Sequence, residues 1–555
     1  MSKAPPKDSG ICFPRNAKGE RSTSDAGKAI IAAAIRGSKA PEADKLASAC
    51  EKEKNWRFGY NKHFKNLVKV SATSPAAALG AAESGINAMH TTFDFVEPGT
   101  TDVVSFDKYL SQFKSTPSNR LNTAVISGKA KREAKPLSVQ YRGKTLSGKA
   151  LQTQFNKWAD YGTIEPDAAA SLSSVCEGNI DLTNQHFVLI GAGSAMGPFY
   201  KLLEHGATVI CIDIPGKWGE RPAAMWQRLI DAARASSGTI IFPLTGVTQA
   251  QCKDDAALIA AAGVNLTDMP ATILDWLKNT AVGNALCVGN YTYLDGDLHV
   301  KLALAADAII AGLCKARKDT KVAFLCTPTD LHVITDDAHK AAVANYGWHP
   351  GRLVELVFQL LSFGKFLRKN ACSPLPTEKS GKTLKIVDGL SVAQGPNYAL
   401  AKRLQHWRAQ VAYQNGHTVS SNIAPSTATL SVVSNRTFGW AYGGMPYFQP
   451  YEIFQQDTTN GVMGAMLIYD VTNTGSAANP SNRSKFSIEN TLELFKWNSV
   501  HGGVWRAAYT VDSIGEVSVL IHFLGGPKVF LPVLTLLLGL AVLAYMKFTG
   551  KLPAL

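Results

Sequence analysis

The sequence predicts an α/β protein in which a doubly wound parallel sheet follows a helical N-terminal region and precedes one C-terminal transmembrane helix. Three observations predict this. Short apolar runs at 186–190, 208–212, 239–243, 285–289, 321–326, 384–389 and 418–423 alternate with helical stretches. Buried strands separated by helices form parallel sheets covered on both faces. The first run, "HFVLIGAG", opens directly into glycines, as a strand does when its chain must turn sharply into a helix. The stretch "VFLPVLTLLLGLAVLAYM", 529–546, holds eighteen residues without a charge between Lys528 and Lys547. At about 1.5 Å per residue it reaches roughly 27 Å, enough for one crossing. A tail anchor over 527–548 is therefore expected, and the lysines on both flanks leave its orientation open.

The other elements follow in chain order. At 555 residues the chain exceeds what one compact core usually serves. Residues 1–26 read as a flexible polar lead without a signal-peptide core. Residues 27–180 read as helical and Ala-rich, as in "DAGKAIIAAAIRG" and "SPAAALGAAESGINAMH". Residues 181–515 form the sheet domain, with extra material at about 321–380. The net charge of +14 is uneven, with 26 Lys/Arg against 17 Asp/Glu in residues 1–180. No aromatic-interleaved basic stripe accompanies it, so nucleic acid is not expected as a partner. The nine cysteines are scattered without any C-x-x-C, which argues against a zinc knuckle or a disulfide framework. A reducing compartment, with the domain on the cytosolic face of a membrane, fits this usage best.

The most specific stretch is "VLIGAGSAMGPFYKLLEHGATVICID". A strand ends at Ile190, Gly191, Gly193 and Gly197 follow with Ser194 and Met196 between them, and a second strand ends at Asp213. Glycines let backbone approach a pyrophosphate and turn tightly, and an acid after the second strand takes the ribose hydroxyls of an adenosine. The order is that of a Rossmann-type dinucleotide site. Asp213 favours NAD(H), while Lys217 and Arg221 just beyond it keep NADP(H) open.

Further on, "GPNYALAK" places Tyr398 and Lys402 one turn apart on a helix that follows a strand-to-loop passage carrying Ser391. A lysine beside a tyrosine lowers its pKa and can hold a nicotinamide ribose, which would make Lys402 also a cofactor ligand. A serine hydroxyl polarises a carbonyl. In these four features the chain resembles the short-chain dehydrogenase/reductase family. Gly191, Gly193 and Gly197 stand in its T-G-x-x-x-G-x-G stretch, and Asp213 matches the acid after its second strand. "NYALAK" resembles its Y-x-x-x-K segment and "VSSNIAPST" its V-N-x-x-x-P-G strand. The resemblance implies a hydride-transferring oxidoreductase acting on a carbonyl/alcohol pair, or in a variant on an enoyl C=C bond, with Tyr398, Lys402 and Ser391 as catalytic residues. It also departs from the pattern. Ile190 replaces the usual threonine, Ala195 the second glycine, and only Asn290 remains of the N-N-A-G segment. Ser391 lies closer to Tyr398 than the family places its serine. "KVAFLCTPTD" is an alternative hydroxyl-bearing strand, with Thr327 or Thr329 in the role.

A hydrophobic, lipid-like substrate is the expected small-molecule partner. "GRLVELVFQLLSFGKFLRK", 351–369, reads as a core helix, a helix on a bilayer surface, or the lining of a substrate entrance. Trp440, Tyr442, Tyr447 and Phe448 fall where the family places its substrate-covering loop. The competing reading is a catalytically retired scaffold or NAD(H)-sensing subunit with a homo-oligomeric or membrane-complex partner.

Overall fold

The computed structural model describes residues 8–349, 352–378 and 381–524, and 539 and 546 as single positions. Its main sheet has seven strands: β1 Asn122–Ser127, β2 His186–Ile190, β3 Thr208–Ile212, β4 Thr239–Leu244, β5 Leu286–Asn290, β6 Lys321–Phe324 and β7 Val419–Ser420. The helices used below are α1 Thr23–Gly37, α2 Trp56–Ser71, α3 Pro75–Thr92, α4 Phe199–Glu204, α5 Glu220–Ala235, α6 Asp297–Ala316, α7 Pro396–Gln414 and α8 Gln456–Thr472. The strands lie in the order β7-β6-β5-β2-β3-β4-β1. From β2 the chain winds outward through β3 and β4, then returns to build β5, β6 and β7 on the other side. The crevice over the C-terminal ends of β2 and β5 is thus the point where the winding reverses, the usual ligand position in open α/β sheets.

Strand alternation divides the core in two. Val188, Ile190, Ile210, Ile212 and Val288 face α6, α7 and the N-terminal helices. Their neighbours Phe187, Leu189, Val209, Cys211 and Cys287 face the layer of α4, α5 and α8. Both faces are buried, which explains why these strands read as unbroken apolar runs.

Two expectations are corrected. The sheet is mixed rather than parallel, because β1 pairs antiparallel with β4 from Asn122↔Leu244 to Ser127↔Thr239. This β-branched segment of the N-terminal region covers an edge that β4 would otherwise leave unpaired. The expected transmembrane helix at 527–548 lies outside the described residues apart from 539 and 546. Among the described residues no helix is long and apolar enough to cross a membrane. The longest, α6, has twenty residues but carries Asp297, Lys301, Asp307 and Lys315. The single-pass membrane location is therefore withdrawn.

The run 321–326 supplies a main-sheet strand, β6, so the added material begins after it. Leu331–Ile334 and Thr383–Asp388 pair antiparallel in a separate three-stranded sheet with Leu375–Pro376, which removes 384–389 from the main sheet. Residues 10–12, within the stretch read as a polar lead, form a strand against Asp94–Val96, with Ile11 fully buried.

The N-terminal helices lie on α6 and α7. Ser74 caps α3 by accepting from the Ala77 amide, with Pro75 at the first helical position. A Cβ on Gly85 of α3 would stand 2.6 Å from the Trp407 ring of α7, so only glycine permits this crossing. Asp307 of α6, 3% exposed, accepts from Arg408 Nε at 2.7 Å and Nη2 at 2.8 Å, and bonds His90 of α3 at 2.7 Å. Burial raises the Asp307 carboxyl, but Arg408 and His90 outweigh it and hold it well below the usual carboxylate range. The stability it supplies is then complete above about pH 4 and lost as pH falls below that. Asp307→Asn should cost about 3 kcal/mol at pH 7 in chemical denaturation, because it strands a buried guanidinium. The difference from wild type should shrink as pH drops below about 4. An unchanged gap at acid pH would refute this account.

Candidate functional site

The site forms where β6 ends and α7 begins. Gly395, with φ +86°, turns the chain and Pro396 opens the helix. Tyr398 and Lys402 then project from one face of its first two turns. Tyr398 Oη donates to Thr327 Oγ1 at 3.1 Å, and Thr327 and Thr329 bond each other at 2.7 Å. Lys402 Nζ donates to the Leu325 carbonyl at 3.2 Å and to Gln405 Oε1 at 3.3 Å. Two of these three acceptors, Leu325 and Thr327, sit just past β6. The register is pinned by Asp330, which accepts from Arg403 of α7 and stands 3.4 Å from His406 Nδ1. All three are nearly fully buried.

A third element closes the site. His299, in the first turn of α6, stacks on Tyr398 with ring centroids 5.7 Å apart and 19° between planes. Tyr293 stands edge-on to both, at 5.3 Å and 6.2 Å. His299 is 1% exposed, and neither ring nitrogen has a hydrogen-bond partner among the described residues. Burial, with Lys402 next, pushes its pKa down to about 3, so the ring is neutral at physiological pH. Burial also lowers Lys402 to about 8. The same burial raises Tyr398 despite the Thr327 and Thr329 hydroxyls. This departs from the expected electrostatics: Lys402 bonds the Leu325 carbonyl rather than the phenol, and the tyrosine stays protonated.

The glycine turn lies at the same edge of the sheet. Two strand spacings separate the end of β2 from the end of β6, or about 10 Å. Gly191 has φ +88°, and a Cβ there would fall 3.0 Å from the Thr292 amide. At Gly193 a Cβ would fall 2.2 Å from the Met225 sulfur. Asp213 accepts from the Gly193 amide at 2.8 Å and from its neighbour Ile214 at 2.8 Å, one bond on each carboxylate oxygen. Burial raises its pKa and these two amides counter it. Other amides of the turn are satisfied locally, while the Ala195 carbonyl accepts from Asn460 Nδ2 of α8 at 2.9 Å. The amides of Gly191 and Ala192 bond the Ile212 carbonyl, that of Ser194 bonds Gly191, and that of Gly197 bonds Ser194. Met196 lines a narrow crevice of about 10 Å³, room for about one water, with Pro198, Tyr291, Leu325, Ser420 and Asn422.

The structure thus brings Tyr398 and Lys402 together with Thr327, and gathers Gly191, Gly193, Gly197, Ser194, Met196 and Asp213 nearby. Asn290 caps its own loop, accepting from the Thr292 amide at 3.0 Å and hydroxyl at 2.8 Å. The Ser391 backbone carbonyl accepts from Tyr60 Oη at 2.9 Å, and it is Thr327, not Ser391, whose hydroxyl bonds Tyr398. The hydroxyl beside Tyr398 is Thr327, the alternative the sequence allowed. His299 and Tyr293 were not foreseen, although a histidine in the first turn after a sheet strand marks the same edge. No protein-family model matches the chain, and no curated protein is significantly similar to it.

A buried lysine whose pKa is depressed costs stability in full below about pH 8 and nothing above about pH 10. Lys402→Met should therefore stabilise the protein at pH 7 by about 1–3 kcal/mol in guanidinium denaturation, with the gain fading toward pH 10. A destabilised variant at pH 7 would show that the bond to Leu325 outweighs the burial of charge.

Proposed function

We propose that the chain is an NAD(H)-dependent oxidoreductase of the short-chain dehydrogenase/reductase type, acting on a carbonyl group of a hydrophobic molecule. The observation that carries this is the placement of Tyr398, Lys402 and Thr327 at one strand end, about two strand spacings from a glycine turn. The residues present fit a dinucleotide. Each Asp213 oxygen accepts one amide and keeps a second lone pair for a ribose hydroxyl. Gly191 and Gly193 are required by the chain's own packing, since a Cβ would meet the Thr292 amide or the Met225 sulfur, so the fit rests on Asp213. Bound there, the nicotinamide would supply or take a hydride.

The chain's own residues account for the rest. Tyr398, protonated because it is buried, donates its proton to the carbonyl oxygen of the substrate. Thr327 orients that hydroxyl, and the Lys402 ammonium offsets the tyrosinate charge left behind. A phenol held protonated favours reduction over oxidation. Tyr293, edge-on to Tyr398 at 6.2 Å, supplies an aromatic wall. The Tyr442 phenol, whose pKa burial raises first, lies close enough to Tyr398 for that neighbour to raise it further. A second reading, a retired scaffold, draws on the self-bonded glycine turn and on α4, which has only six residues.

Titration of the full chain with NADH and NADPH by fluorescence and thermal shift separates the two. NADH should bind more tightly, and Asp213→Ala should weaken it at least tenfold. Tyr398→Phe should keep binding and lose at least a hundredfold in turnover, the range of a general acid. Binding of neither nucleotide would sink the oxidoreductase reading.

A further inference from the structure

The helix Arg352–Leu361 is amphipathic, and it is mounted inside out. Its polar side faces the protein. Arg352, 7% exposed, donates to the Tyr509 hydroxyl and lies over the Tyr346 ring at 4.3 Å. Glu355, 6% exposed, accepts from the same Tyr509 hydroxyl and stands 3.1 Å from His349 Nε2. Gln359 Nε2 donates to the Leu367 carbonyl at 2.6 Å. These three positions follow helical spacing, so one whole face is clamped by hydrogen bonds.

The opposite face holds Leu353 at 60% exposure, Leu356 at 37%, Leu360 at 76% and Leu361 at 74%. Phe363 follows at 95%, in a turn of positive φ that thrusts it out beyond the helix end. Leucines so exposed are costly in water, and an apolar face this continuous marks a surface that is covered in use. The rim supplies the second clue. Lys365 and Lys369 are exposed just past Phe363, with Lys369 held 5.7 Å over the Tyr346 ring. Arg368 is neutralised by Asp512 at 2.5 Å, so the charge offered outward comes from the two lysines.

We propose that this face docks on an anionic lipid surface, the leucines and Phe363 entering the acyl boundary while Lys365 and Lys369 meet the headgroups. An apolar strip with an aromatic at its tip and cations at its edge is the arrangement of helices that lie in the interfacial plane. A second copy of the chain fits less well, because pairing the two strips would bring four lysines together. The contact is peripheral and needs no membrane-crossing helix. It stands independently of the proposed activity.

Co-sedimentation of the full chain with vesicles tests it, using phosphatidylcholine alone and phosphatidylcholine mixed with phosphatidylserine. Wild type should bind the mixed vesicles at least tenfold better than the neutral ones. The double variant Leu360→Glu and Phe363→Glu should lose at least tenfold on both. Lys365→Glu with Lys369→Glu should lose the preference for phosphatidylserine and keep the weak neutral binding. Leu360, Phe363 and Lys365 are exposed, so thermal unfolding of the Leu360→Glu and Phe363→Glu variant should match wild type. Lys369→Glu forfeits only its ring contact with Tyr346. Failure of wild type to bind, or equal binding by the glutamate variant, would overturn the proposal. So would a wild-type dimer that the glutamate variant converts to monomer without any vesicle binding.

Discussion

The buried Asp307 carboxylate is the interaction on which the rest of the molecule depends. It joins α3, α6 and α7 through His90 and a two-point contact with Arg408. None of these groups would be tolerated alone in that interior, since an unpaired buried charge costs several kcal/mol. Together they fix the angle of α7 against α6 and bring the N-terminal helices onto the outer side of both. The glycine of α3 under Trp407 serves the same end by allowing the closest approach. A second buried pair, Asp330 with Arg403, fixes the inner side of α7 to the end of β6. Held from both sides, α7 presents Tyr398 and Lys402 to the strand end in one register.

That double clamp also sets the electrostatics. Helices packed on both sides leave little water around Tyr398, Lys402 and His299, and burial becomes the largest influence on each of them. The result is a protonated phenol, a lysine with its pKa near 8 and a neutral imidazole within one cluster. Such a combination is tuned by exclusion of solvent rather than by a neighbouring carboxylate. It suits proton donation in the proposed reduction. Its cost is borne by the ion pairs around it, which is a common division of labour between a site and its supports.

The outward leucines of the helix Arg352–Leu361 belong to a different economy. They lie in material inserted between β6 and α7, where the chain leaves the sheet, builds a small antiparallel unit and returns. The insertion separates Thr327 from Tyr398 by seventy-one positions in sequence while the fold sets them in contact. The same detour carries the exposed helix, while the residues of the site lie on either side of it.

The sequence by itself determined the strands β2 to β6, the glycine turn, Asp213 and the pairing of Tyr398 with Lys402. Each of these is written locally, as an apolar run, a fixed glycine spacing or a helical turn. It also misled where local patterns are shared. Residues 384–389 read as a buried sheet strand, because an antiparallel strand under a helix is just as apolar, and β1 was lost within an Ala-rich region. The charge-free C-terminal segment read as a membrane span; it lies outside the described residues apart from 539 and 546, and among the described residues no helix is long and apolar enough to cross a membrane. What the tertiary structure alone decided is which hydroxyl meets Tyr398. Ser391 is near in sequence and Thr327 far, yet the fold carries Thr327 to the helix and joins its hydroxyl to Tyr398. Contacts closed through a sheet are independent of separation along the chain, and for that reason no spacing could reveal them.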